Sequence, residues 1–338
     1  MNSPVAHPPS GSRRLLCLGA GSALLGVLNP AGAQTARAQR IGVLFTSTAD
    51  KEAITTQAFF ERLRELGWIE DRNILFTRLY ADDRQDRLPE LAARLASSKP
   101  DVIFAPNAPA AVEARKATPT IPIVFGTVSD PVALGLVKDL AKPGGNVTGV
   151  TSLGVSLHRK RLEFLAEILP KARRMGFLGD RSSTNYVAQA ERETVERAAQ
   201  HLGIELSVAE CTGPENLDAA VDSLIERRAQ AVLLAQTPIL YNHAQRVIGR
   251  LAEAHIPAAT HRAEKVMDGA LFSYAASLPA QFRRAAEMVD RILRGGAPQD
   301  MPVEAPTLFE LVLNKRAART FGITFPKSVL LRASKLSE

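Results

Sequence analysis

From residue 40 onward the chain alternates short, β-branched apolar runs with longer segments of helical periodicity, and this alternation restricts the fold more than any other feature. Ile41–Phe45, Asn73–Tyr80, Asp101–Ala105 and Ile121–Phe125 read as strands. Between them lie helices at Thr55–Leu66, stopped by Gly67, at Asp86–Ser97, with Leu88, Leu91 and Leu95 on one face, and at Ala108–Ala117. Strands that are apolar throughout and joined by helices belong to parallel βαβ units buried on both faces. The rhythm breaks at Pro143–Val150, where the punctuating residues Pro143, Gly144, Gly145 and Gly149 predict a turn into a crossing strand.

The alternation then restarts. Helices are expected at Ser156–Leu169, Tyr186–Leu202, Asn216–Arg227 and Leu240–His255, and strands at Arg174–Leu178, Glu205–Ala209, Ala231–Ala235 and Pro257–Thr260. A strand at Leu271–Tyr274, an amphipathic helix at Pro279–Leu293 ended by Gly295-Gly296, a strand at Phe309–Asn314 and a helix at Lys315–Phe321 complete the chain. The expected fold class is therefore α/β, two Rossmann-like parallel-sheet lobes joined by a multi-crossover hinge. The lobes are expected at 40–152 with about 276–302, and at 153–275 with about 303–338. Such a pair forms a cleft where the strand ends of both sheets face each other.

Composition narrows the class further. At 338 residues, 46% hydrophobic and 23% charged, the chain suits two globular domains and excludes disorder, collagen-like repeats and a polytopic membrane protein. The formal charge is +7, but its basic and acidic residues are interspersed, which argues against nucleic-acid binding. Aromatic residues are only 5% of the chain, too few for single-strand stacking platforms. Cys17 and Cys211 form neither a disulfide scaffold nor a zinc-ligand spacing. Cys211 reads as a small buried hydrophobe.

Residues 1–38 contain no acid, and Arg13-Arg14 precede the apolar stretch Leu15–Leu28. With small-residue sites at Ala31-Gly32-Ala33 and Ala36-Arg37-Ala38, this is the pattern of a cleaved export signal. Both the general and the twin-arginine routes fit it. Gly19-Ala20-Gly21 lacks the strand and third glycine of a dinucleotide loop. Cys17 precedes the apolar run, whereas a lipidated cysteine would follow it. The expected location is the periplasm.

Two ordered blocks carry a family resemblance. The run Ile121-Pro122-Ile123-Val124-Phe125-Gly126-Thr127-Val128-Ser129-Asp130-Pro131-Val132, with Gly135-Leu136-Val137 and Pro143–Val150, resembles the signature of the ABC-transporter substrate-binding family that includes tryptophan- and tyrosine-binding lipoproteins. Phe282–Ala286, Val289–Leu293, Pro302–Thr307 and Phe309–Asn314 are similar to that family's C-terminal block. The resemblance covers essentially all of 40–338. It implies a type I periplasmic-binding-protein fold and a non-catalytic role, delivering a small solute to an ABC permease and its ATPase. No cofactor or nucleic acid is expected, and the protein is expected to be monomeric.

A binding protein of this kind places polar groups at strand C-termini. Ser47 and Thr48 follow the first strand, where hydroxyls and free helix amides could hold a carboxylate; capping of the next helix is the plainer role. Asn107 and Ala108 follow the third strand, and Gly126, Ser129 and Asp130 the fourth. Asp130 suits a ligand ammonium or a cap before Pro131. From the second half come Asn185, Thr237 and Arg262, whose guanidinium suits a carboxylate. One acid and one base from opposite halves predict an amino-acid-like solute. Thr260-His261-Arg262-Ala263 departs from the small, acidic or aromatic residues common in the family there, which weighs against an aromatic amino acid. No Gly-x-Ser-x-Gly elbow, phosphate loop or paired metal histidines occur, and the six histidines read as surface or helix-end residues. No helix-turn-helix precedes Ile41, against a repressor. A sensory binding component and, more remotely, an exported α/β enzyme are the alternatives.

Overall fold

The computed structural model describes residues 37–181 and 186–338. Asn185 and all but the last two residues of the expected export signal lie outside these.

The first sheet grows from β1 (Gln39–Phe45), α1 (Ala49–Glu65), β2 (Ile74–Tyr80), α2 (Leu88–Ser97), β3 (Val102–Ala105), α3 (Ala108–Ala117), β4 (Ile123–Val128) and β5 (Val147–Thr151). Its order is β2-β1-β3-β4-β5, parallel throughout. Two differences from the sequence reading have local causes. The α1 helix begins six residues earlier than Thr55, because Asp50 and Glu52 in its first turn suit the positive helix end although they break the apolar pattern. The fourth strand starts later and runs on to Val128, since the Thr127 amide still finds Pro106 O at 3.0 Å.

The second sheet uses α4 (Gly154–Ile168), β6 (Arg174–Asp180), α5 (Tyr186–Leu202), β7 (Glu205–Cys211), α6 (Leu217–Glu226), β8 (Val232–Leu234), α7 (Pro238–Asn242), α8 (Ala244–Glu253), β9 (Ala258–Thr260), α9 (Glu264–Met267) and β10 (Phe272–Ala276). The chain then leaves it for α10 (Leu278–Leu293), and returns as β11 (Phe309–Asn314), α11 (Lys315–Thr320), α12 (Lys327–Leu330) and β12 (Lys335–Ser337). Strand order is β12-β11-β10-β9-β8-β6-β7, with β11 antiparallel to β10. That reversal follows from the path: the chain re-enters this sheet from the side on which β10 left it. The expected helix Leu240–His255 is two helices meeting at His243, whose backbone (φ −106°, ψ 16°) departs from helical geometry.

Three crossings link the lobes. The first passes Leu153, held at φ +52° with its amide bonded to Thr151 Oγ1. The second leads into α10, which packs on α1 and β4 of the first lobe. Trp68 Nε1 donates to Asp290 at 2.7 Å, and Arg62 pairs with Glu287 at 2.8 Å across this contact. The third follows a stretch beside β5, where Glu304 N donates to Gly149 O at 3.0 Å and Thr151 N to Glu304 O at 2.9 Å.

Apolar side chains cover both faces of the first sheet. Leu88, Leu91, Leu95 and Ala111 lie on one face; Phe59, Leu63, Phe282 and Met288 lie on the other. Burying each such phenylalanine contributes roughly 1.5–3 kcal/mol, and the Phe59 and Phe104 rings stack at 3.7 Å. A single larger core fills the second lobe and includes Cys211, whose thiol is buried and raised to about 11, chiefly by desolvation. Both sheets thus fix their strand C-termini rigidly, and the loops beyond those ends carry the polar residues.

Candidate functional site

On the first lobe, the loops after β1, β2 and β3 are bonded into one rim. Ser47 Oγ donates to Asp83 Oδ1 at 2.6 Å, and Asn107 Nδ2 donates to Thr46 Oγ1 at 2.8 Å. Asn107 Oδ1 also caps α3 through the Ala110 amide at 3.3 Å, with Ala108 as the first helical residue. Thr48 is the N-cap of α1, but its side chain makes no capping bond. Glu52, which the sequence reading missed, is 5% exposed and accepts from the Ser47 amide at 3.1 Å. Burial raises its pKa, opposed by the Ser47 and Thr46 amides.

After β4, Ser129 Oγ lies 3.3 Å from Ser152 Oγ, and Asp130 Oδ1 accepts from the Ala133 amide at 3.0 Å. Asp130 is thus a turn cap at the edge of the cleft. Ser129, Asp130 and Thr151 line a pocket of about 370 Å³ together with Val155, Ser156, Arg159 and Thr194 from α4 and α5, so first-lobe and second-lobe elements share it. Gly126 is buried inside β4, and a Cβ there would stand 2.7 Å from Phe282 Cδ1. It packs under Phe282 of α10.

On the second lobe, Thr237 Oγ1 caps α7 through the Leu240 amide at 3.4 Å. Arg262 is engaged within its own lobe. Its Nε and Nη2 both lie 2.8 Å from Glu264 Oε1, and its guanidinium sits 5.3 Å from the Tyr241 ring centroid. Tyr241 donates its hydroxyl to the same Glu264 oxygen at 3.2 Å. Lys51 on α1 pairs with Asp83 at 2.8 Å, which raises its pKa.

Behind this rim lies a polar cluster that the sequence reading did not single out. Arg161, 1% exposed, donates from Nε to Tyr274 O at 2.8 Å, and its Nη1 is 3.3 Å from His158 Nδ1. Because guanidinium only donates, Nδ1 of His158 is the acceptor and its proton sits on Nε2. That nitrogen lies 3.2 Å from Glu191 Oε1, close but out of line for a hydrogen bond. Glu191 Oε2 in turn accepts from the Gln236 amide at 3.3 Å. His158 and His261 are therefore buried, against the surface reading of the histidines; His201 and His255 are exposed and His243 is half-buried. Burial lowers the pKa of His158 against the pull of Glu191, and it lowers that of His261 well below the usual value, with Arg161, Arg262 and His158 adding to the effect. Arg161 falls to about 10, again through burial. A sequence signal for the cluster existed: His158 and Arg161 interrupt the Leu157, Leu162, Leu165, Ile168 stripe of α4, and Glu191 precedes Val195, Ala198 and Ala199 on the buried face of α5.

The family model for ABC transporter substrate binding proteins matches residues 40–337. The chain belongs to that family. This binding protein is 29% identical over 260 residues to a tyrosine-binding protein of Clostridioides difficile (strain R20291), an alignment covering 77% of this chain and 74% of the relative. Among solved structures, a conserved domain protein from Vibrio cholerae superposes with a TM-score of 0.81 at 27% identity, covering 89% and 100% of the two chains. A ligand-free, open substrate-binding protein with adhesive properties from Clostridium difficile gives 0.72 at 26%, covering 88% and 99%. A Streptococcus ABC domain in complex with L-Trp gives 0.80 at 23%, covering 88% and 99%, a likeness of fold. The binding protein has the type I periplasmic-binding-protein fold, and its family consists of extracytoplasmic solute-binding proteins rather than enzymes. Among the described residues no helix is long and apolar enough to cross a membrane.

Proposed function

We propose that the protein captures an amino-acid-like solute between lobes formed by 40–152 with about 276–302 and by 153–275 with about 303–338, and delivers it as a monomer to an ABC permease and its ATPase. The observation that carries this reading is the convergence of polar strand-end loops from both sheets. Ser129 of the first lobe and Gln236 of the second both crowd the position that a Gly154 side chain would occupy, 2.7 Å from Ser129 Oγ. The tyrosine-binding relative supports the solute class. In this reading Ser47, Thr48, Asn107, Ala108 and Ser129 offer neutral polar contacts, Asp130 meets the solute ammonium with its second oxygen, and Thr237 and Arg262 border the opposite wall. The acid-free leader supports export to the periplasm with cleavage after Ala33 or Ala38. N-terminal sequencing of exported protein checks that step, and unimpaired export of an Arg13→Lys, Arg14→Lys variant would remove the twin-arginine route alone.

A thermal-shift screen of amino acids, organic acids and sugars tests the solute class. A true ligand at about 100 times its dissociation constant adds roughly 2.7 kcal/mol. Stabilisation by sugars alone, with no response to any amino acid, would refute the reading.

A further inference from the structure

Buried polar atoms are nearly always paired in folded proteins, so a concentration of unpaired ones needs a physical reason. Among the described residues five buried side-chain polar atoms lack a hydrogen-bond partner; Asn146 Oδ1 lies before β5 in the first lobe, and the other four, His158 Nε2, Glu191 Oε1, Gln236 Oε1 and His261 Nδ1, belong to the cluster behind the second-lobe rim. His158 Nε2 and Glu191 Oε1 face each other at 3.2 Å, and a small rotation joins them. That leaves the His261 imidazole and the Gln236 side-chain amide, which directly follow or closely follow the ends of the neighbouring strands β9 and β8. These strand ends form the wall of the second lobe toward the cleft.

The charges nearby favour a negatively charged partner. Arg161 and Arg262 both act on His261 as repelling cations. The acids of this region are already engaged, Glu264 by Arg262 and Tyr241, and Glu191 by His158 and the Gln236 backbone amide. A neutral imidazole can then present Nδ1–H as a donor, and a primary amide can turn its NH2 outward. Gly154 makes room for that amide, since a Cβ there would collide with the Gln236 side chain.

We infer that His261 and Gln236 form the subsite that receives the solute's carboxylate, with the buried Arg161 as a positioning residue that supplies the positive field behind it. This rests on the solute-binding reading above and deepens it. It also moves the carboxylate contact from Arg262, which Glu264 neutralises, to an imidazole and an amide.

The test compares wild type with His261→Leu and His261→Asn against the L-amino acids, their decarboxylated amines and their deaminated acids, by thermal shift and titration calorimetry. Wild type should bind carboxylate-bearing probes in preference to the matched amines. His261→Leu should weaken those probes about tenfold or more without lowering the melting temperature of the ligand-free protein, because it removes an unpaired buried polar atom. His261→Asn, which keeps an N–H donor, should restore much of the affinity. Undiminished affinity in His261→Leu, or a ligand-free protein markedly destabilised by it, would overturn the subsite. If wild type binds only deaminated acids and His261→Leu loses them, the subsite stands and the amino-acid reading falls. If no carboxylate-bearing probe binds, both fall.

Discussion

Acidification from pH 7.5 to 5.5 should destabilise the fold, and the two buried histidines set the size of the effect. His158 and His261 are held neutral, their pKa values lowered first by burial. In the unfolded chain each titrates near the ordinary value of about 6.5. Below that pH the unfolded state takes up protons that the folded state refuses. The stability is therefore fully present above the unfolded value and is lost as pH falls toward the lowered folded values. Each histidine contributes at most about 1.4 kcal/mol per pH unit, so the pair sets an upper slope of roughly 2.8 kcal/mol per unit in this window. The groups facing them are Arg161 from α4, Glu191 from α5, and Arg262 and Glu264 beyond β9. Glu52 acts with the opposite sign, because burial raises its folded pKa and acidification relieves that penalty. Carboxylates held low by arginines, such as Glu65 at about 2, lose their contribution only below the ordinary carboxylate range of roughly 4. Urea unfolding followed by circular dichroism at pH 7.5, 6.5 and 5.5 measures the slope. His261→Leu should reduce it by up to half while leaving the Glu52 contribution in place. Equal wild-type stability at pH 7.5 and 5.5, or an unchanged slope in His261→Leu, would refute the reasoning.

Gly126→Ala should destabilise the first lobe by about 1–3 kcal/mol through overpacking, because the added methyl meets the Phe282 ring and Pro106 O rather than solvent; chemical denaturation measures it, and a neutral substitution would contradict the packing role. Phe282→Ala should cost about 3–5 kcal/mol, given its burial against Phe104 with ring centroids 5.9 Å apart. Asp130→Asn keeps an acceptor for the Ala133 amide, so stability should change by no more than about 0.5 kcal/mol, as at ordinary surface sites, while affinity for an ammonium-bearing solute falls; calorimetry with L-tyrosine or another confirmed amino acid decides between the cap and the contact.

The elements were legible where pattern and packing agree. The α3 helix and β11 strand lie at the residues their patterns mark, since Asn107 caps the one and two half-buried residues followed by four buried ones form the other. Boundaries moved where a backbone bond outlasted the apolar pattern, as at Thr127, or where acids hid a helix start, as at Asp50 and Glu52. The first-lobe rim was legible as polar loops, because Ser47 and Asn107 each stand two residues beyond a strand end. The polar cluster showed only as interruptions of apolar stripes, because His158, Arg161 and Glu191 sit within helices and meet only once α4 and α5 pack together. The pairing of Arg262 was hidden for a similar reason: its partner Glu264 is two residues away, and only the turn into α9 brings the two charges together.

The most direct measurement is a crystal structure of the mature protein with the tightest amino-acid ligand from the screen. The account requires the solute between the carboxyl ends of β4 and β9, bonded by groups from both lobes, with Asp130 on its ammonium side and His261 on its carboxylate side. A solute bound to one lobe alone, or on a surface away from these strand ends, would contradict it.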